Sequence, residues 1–202
     1  MATKLILDAA MDALLDYLGA VDLIELCEAM PADYTDAITA KGSGGHKLGS
    51  ASPGSFTKAD GDTSGRKTTM AQVSGISITV TGTWDYVAGT LAAGTTLRFA
   101  LPLSNAPITG GSQGSKQFIV TGDVTSYCTA GKIITVRGST GNDGVYTVVS
   151  SSYGAPSTTV TVSEAIPSAT FDGILIYGAQ SVTNGNSATL NALKVDEVRD
   201  PS

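Results

Sequence analysis

The sequence predicts a mainly β chain of the α+β class, with one N-terminal helix followed by many short strands. Three observations predict it. Gly occurs 24 times in 202 residues and charged residues make up only 15%, a balance that favours turns and short strands over long helices. Ile76, Ile78 and Val80 alternate with Ser77, Thr79 and Thr81, which is the period of a half-buried strand. Beyond residue 116, five β-rich runs recur at intervals of roughly 12 residues, which suggests a small barrel or sandwich.

The helix is read from residues 5–18, LILDAAMDALLDYL. Asp8, Asp12 and Asp16 are spaced i, i+4 and share one side. Nearly every other position is apolar, so the dry arc is wide. Gly19 supplies a C-cap. An arc this broad fits a helix lying on its own sheet, and equally one also covered by a neighbouring subunit. Residues 21–29, VDLIELCEA, alternate only partly, because Glu25 breaks the pattern. A strand is favoured there, although Leu23, Ile24 and Leu26 permit a helix. Pro31 with Asp33 close behind opens a short helix within 31–40.

Residues 42–67 read as one long loop, because Gly, Ser, Asp and Pro prevail and no period is present. A loop of that length acts as an interaction arm more often than as a plain connection. Strands are expected from residue 68: Thr68–Val73, then the run from Ile76, then Trp84, Tyr86 and Ala88 in phase, then Thr95–Ala100. The stretch NAPITGGSQGSK after residue 104 reads as a linker. The later runs are QFIVT (117–121), KIITVR (132–137), VYTVVS (145–150), STTVTVS (157–163) and FDGILIY (171–177). Gly141-Asn142-Asp143-Gly144 reads as a tight hairpin turn. Asn184-Gly185 marks another turn, and a last strand is expected near 187–195.

The formal net charge of −6 opposes binding to a phosphate backbone, and the Lys and Arg residues form no patch. Nucleic acid is therefore not an expected partner. Eight acids lie in the first forty residues with Lys4 as the one base, which predicts a negative face at that end. Asp8 interrupts what would be an export signal, and no run reaches the ~18 apolar residues of a membrane-spanning helix. Assembly in the cytoplasm and no membrane partner are the expectations. Cys27 and Cys128 form no C-x-x-C pair. Two isolated buried thiols are favoured over one long-range disulfide.

Catalytic chemistry needs ionisable groups held together in a pocket. His46 is the one histidine, in a Gly-rich stretch without a visible orienting partner. A Cys27–His46 dyad is formally allowed, but Cys27 suits a core. Asp60, Asp62 and Ser64 copy the front of a calcium loop, yet the closing position, residue 71, is Ala. A turn accounts for them better. No hydrolase, zinc-protease or nucleotide-binding motif is present. The expectations are no catalysis and no cofactor, with Asp60, Asp62 and Ser64 as a weak metal candidate only.

Several segments together resemble a family of small tailed-bacteriophage and prophage virion proteins. These are the N-terminal helix, DLIELCEAMPADYTDA, then Gly61-Asp62-Thr63-Ser64-Gly65-Arg66-Lys67 of a "GD-x-SGRK" stretch, then Gly75 through Ala88 of a "TGTA-x-x-VA" stretch. Trp84 replaces the family's Ala. The family's penultimate strand is matched by Leu97–Ser104, but its continuation resumes only at Gln180, and Val195–Pro201 is similar to the family terminus. Residues 106–178 then look inserted, and they resemble another recurring phage β module through Phe118–Asp123, Gly131–Val136, Gly141–Ser151 and Thr158–Val162. Insertion at a loop tip is physically cheap, because loop-closure entropy grows slowly with length. The fold implied is a small Ig-like or β-sandwich host domain, residues 1–104 plus 179–202, carrying an inserted small β-barrel or β-sandwich at 106–178.

What the resemblance implies is a non-enzymatic virion structural protein. A capsid decoration or cement subunit bound to the major capsid protein on the outside of the head shell is the first expectation. A neck, tail or fibre-anchoring adaptor bound to other virion proteins is the second. A carbohydrate-binding adhesion module, reaching a host-surface glycan through the insert, is the third. A homo-oligomer is expected; decoration proteins of this size are commonly trimers, although no residue here proves threefold contact. The candidate interaction residues are Asp8, Asp12 and Asp16 of the acidic helix and His46, Phe56 and Arg66 of the long loop.

Overall fold

The computed structural model describes residues 2–62 and 65–198. The chain is mainly β and divides into two compact units: Met1–Leu101 with Val182–Ser202, and Pro102–Ser181. Each junction lies three residues from the boundaries expected from sequence.

The first unit opens with α1 (Ala2–Gly19), one turn longer than the apolar pattern indicates. Then come β1 (Leu23–Cys27), α2 (Tyr34–Ile38), β2 (Lys47–Ala51), β3 (Phe56–Asp60), β4 (Arg66–Met70), β5 (Val73–Ile78), β6 (Gly82–Trp84), β7 (Tyr86–Leu91) and β8 (Thr96–Pro102). The chain returns as β15 (Gln180–Val182), β16 (Ser187–Leu190) and β17 (Leu193–Val198), after β9–β14 of the second unit. The principal sheet has the order β16-β5-β2-β1-β7-β8, a second sheet is β17-β4-β3, and β15 pairs with β6. Strand β1 is central: Ile24 to Cys27 are all buried, including Glu25. Burial of both faces removes the alternation a half-exposed strand would show. Helix α2 packs on β1, β2 and β7. It is capped reciprocally: Asp36 N–H donates to the Asp33 carboxylate and Ala32 N–H to the Asp36 carboxylate, each at 2.9 Å.

The loop expected over 42–67 is corrected. It contains β2, an interior strand of the principal sheet, and β3. The run KLGSA of β2 has one large apolar residue, Leu48, because its neighbours leave no room for more. A Cβ on Gly49 would lie 2.5 Å from the Ser77 carbonyl oxygen. Close packing here selects the residues that otherwise signal a loop. The strand expected at 68–73 is also two, β4 and β5, and the last strand is two, β16 and β17.

The second unit is a closed six-stranded barrel, β10-β13-β12-β11-β14-β9. Its strands are β9 (Asn105–Ser112), β10 (Gln117–Thr121), β11 (Ile133–Arg137), β12 (Gly144–Gly154), β13 (Ser157–Val162) and β14 (Ile174–Ile176). The linker read at NAPITGGSQGSK is thus corrected: it supplies β9, which closes the barrel. Ala106 and Ile108 point into a core with Phe118, Val120, Ile134 and Val136. Phe118 meets Tyr146 edge-on at 5.1 Å between ring centres, a favoured aromatic geometry.

Gly141–Gly144 is not a tight turn. Residues 138–143 form a wider loop held from inside by Asn142, which is fully buried. Its Nδ2 donates to the Thr170 carbonyl at 2.6 Å and its Oδ1 accepts from Ser168 N–H at 2.8 Å. The two ends of the unit run side by side, with Asn105 paired to Ile176. Tyr177 N–H then donates to the Ser104 carbonyl at 2.9 Å.

Candidate functional site

Four of the six interaction residues expected from sequence come together where α1 crosses the β17-β4-β3 sheet. Met11 and Leu15 are buried beneath the helix. Burying two such side chains contributes about 1.5–3 kcal/mol each. Asp12 and Asp16 flank that seam. The Asp12 carboxylate accepts from Arg66 Nε at 2.9 Å and Nη2 at 3.3 Å, a bidentate arrangement. Arg66 Nη1 also donates to Asp60 at 2.9 Å. Lys58 Nζ reaches both oxygens of Asp16 at 2.8 and 2.9 Å. Phe56 packs its ring against Gly19, where an added Cβ would lie 3.3 Å from Cγ.

Two acids of the N-terminal end are thus ion-paired within the chain, while the Asp16 side chain stays 67% exposed. Arg66 and Lys58 of the same chain take Asp12 and Asp16. The bonds from Arg66 hold the Asp12 carboxyl below its ordinary range, and those to Asp12 and then Asp60 push the guanidinium higher. Asp8, one turn earlier, is half-buried. His46 stands apart, beside α2, with Nε2 3.6 Å from the Asp36 carboxylate. Its main-chain N–H donates to the Asp36 carbonyl.

Of the weak metal candidate, Asp60 and Asp62 lie among the described residues. Asp62 is bonded to Lys67 and lies 3.0 Å from Lys194 Nζ. Bonds from those two ammonium groups hold its carboxyl down at about 2. Asp60 belongs to Arg66, and Ser64 lies outside the described residues. Among the described residues there is no cluster of three or more His, Cys, Asp or Glu side chains able to hold a metal.

Both cysteines are free, buried thiols, one in each unit. Burial pushes Cys27 up to about 12 and Cys128 to about 11, far from the range of a reactive thiolate. In the barrel the acids close turns. Asp123 accepts from Thr125, Asp143 from the N–H groups of Gly138 and Ser139, Glu164 from Thr147 N–H, and Asp172 from Ser139 and Thr140.

What the ion pairs leave open is the other side of α1. Ala9, Ala10, Ala13, Leu14 and Tyr17 all face outward, with Leu14 47% and Tyr17 51% exposed. At 100° per residue these five positions form one continuous apolar face. The broad arc read from sequence is therefore covered by the chain's own sheet on one side only. Arg98 of β8 adjoins this face, its guanidinium carbon 3.7 Å from the centre of the Tyr17 ring. Nothing in the sequence singles out Arg98, which sits in the polar phase of a plain alternating strand.

These features define a mainly β chain of two compact units, with an α-helical surface pinned by charge on one side and apolar on the other. Comparisons with family models, with curated proteins and with solved structures give no match. No helix among the described residues is long and apolar enough to cross a membrane.

Proposed function

We infer that this chain is a structural component of a tailed-bacteriophage particle, a decoration or cement subunit that binds the major capsid protein on the head shell. The sequence resemblance through Gly61–Lys67 and Gly75–Ala88 supports the phage setting. The observation that carries the adhesive role is the outward apolar face of α1. A helix fixed to its own sheet by Arg66 and Lys58 presents Leu14 and Tyr17 without having to rearrange, which lowers the entropic cost of docking. One such contact is weak. A shell repeats it at every lattice site, and bridging subunits gain from that multiplicity.

The test is to add the purified chain to expanded empty shells. Sedimentation with the shells at an occupancy matching their lattice sites, together with a raised shell melting temperature, is the expected result. Binding to tails or necks instead of shells would overturn the assignment to the head.

A further inference from the structure

The cations near α1 follow one pattern, and Arg98 departs from it. Lys58 is served by Asp16, Arg66 by Asp12 and Asp60, and Lys194 by Asp62. Arg98 sits over the Tyr17 ring, its Nε and Nη1 are shielded from solvent without an acceptor, and no carboxylate among the described residues pairs with it. A guanidinium stays charged, and shielded donors without acceptors are rare in native proteins. This charge therefore lacks, among the described residues, the carboxylate that such a group ordinarily has.

We propose that the outer face of α1 and Arg98 together form a docking surface for an apolar segment of a different protein, one that brings a carboxylate to Arg98. The proposal rests on the adhesive reading above and names the chemistry of the partner. Ala10, Leu14 and Tyr17 are spaced i, i+4, i+7 and make an apolar row about 10 Å long. Ala9 and Ala13 beside them let a second backbone approach closely. The Arg98 guanidinium lies at the Tyr17 end, so the partner's acid belongs at that end of its apolar run, where it meets the unpaired charge.

Charge excludes a symmetric pairing of two copies. A twofold contact places the same face against itself, and this face carries no acid. Asp16 at its margin is already bonded to Lys58. Self-pairing would cover Leu14 and Tyr17 but leave the Arg98 charge without a carboxylate.

The test compares wild type with Leu14→Asp, Arg98→Glu, Arg98→Lys and a barrel control, Val149→Asp, which is at a position 51% exposed. Each is added to shells lacking the chain, and bound protein is measured after sedimentation. Circular dichroism establishes that each variant is folded, and Leu14→Asp decides the matter should Arg98→Glu not fold. Wild type and Val149→Asp are expected to bind alike. Leu14→Asp and Arg98→Glu should each weaken binding about tenfold or more, with Arg98→Lys between, since it keeps the charge and loses the fork. Wild-type binding that both Leu14→Asp and Arg98→Glu leave intact would overturn this surface while the shell reading stands. Failure of wild type to bind shells would remove both. In sedimentation velocity, a dimer of the isolated chain abolished by Leu14→Asp would also overturn the proposal, because a second copy would then be the occupant.

Discussion

Glu25 sits in the middle of the central strand β1 with 1% of its surface exposed, and its Oε2 has no hydrogen-bond partner. Burial disfavours the ionised carboxylate more than the Lys47 charge favours it, so the group is pushed up to about 7 from an ordinary 4.5. The folded chain thus holds a proton that the unfolded chain releases. That contribution to stability is whole below about 4.5, shrinks as the pH rises, and is gone above about 7. The melting temperature is expected to fall between pH 5 and pH 8, and Glu25→Gln, neutral throughout, should flatten that slope and melt higher at pH 8. A variant that kept the wild-type slope would move the cause elsewhere. The depressed carboxyls, Asp12 and Asp62, act in the opposite sense and below this window, since their contributions are lost only as pH falls under 3.8. At this scale the sequence showed the anomaly, an acid out of phase in an apolar run, but not its burial, which depends on β2 and β7 arriving on either side. His46 illustrates the converse. It is the one histidine of the sequence, and the fold sets its ring 3.6 Å from the Asp36 carboxylate.

Elements were legible where side chains carry the pattern and obscure where the backbone does. Helix α1, β10, β11 and β13 follow apolar period alone. Strands β2 and β9 do not, because at Gly49 and Gly111 their neighbours come too close for a side chain, and glycine in a strand is locally indistinguishable from glycine in a loop. Gly111 of β9 shows the constraint. An added Cβ would lie 2.4 Å from the Gln117 carbonyl oxygen and 2.4 Å from the Phe171 ring. The carbonyl belongs to the paired strand β10 and cannot swing away as a side-chain tip can. Gly111→Ala is therefore expected to destabilise the barrel by about 1–3 kcal/mol, the range of overpacking in a tight site, as read from urea denaturation. Gly114→Ala, with open space around the position, is the matched control and should differ little from wild type. Equal effects at the two positions would mean that the strands separate without cost. The candidate site divides along the same line: the apolar arc of α1 was visible in sequence, whereas its pairing to Lys58 and Arg66 across more than forty residues was not.

On the scale of the whole molecule, the chain leaves one folded unit, builds another, and returns to finish the first. The return is structural rather than a tail, since β16 pairs with β5 and β17 with β4. Removing residues 182–202 would strip an edge from the principal sheet and a strand from the sheet under α1. Removing the second unit is a different operation. Its two ends already run antiparallel at Asn105 and Ile176, so a short Gly-Ser linker can replace residues 102–181 without stretching the chain. The barrel has its own closed hydrogen-bond ladder and its own buried core, the two requirements for folding alone. Two shortened chains are then expected to behave alike: residues 1–101 joined by a linker to 182–202, and residues 102–181 by themselves. Each should be a cooperatively folding monomer with a β-type far-ultraviolet spectrum, whereas residues 1–101 alone should aggregate or remain unfolded, because the unpaired β4 and β5 edges would be open to other chains. Should 1–101 fold as stably as the linked form, the C-terminal strands would be an accessory, and the insertion would reduce to two domains in tandem with a trailing hairpin.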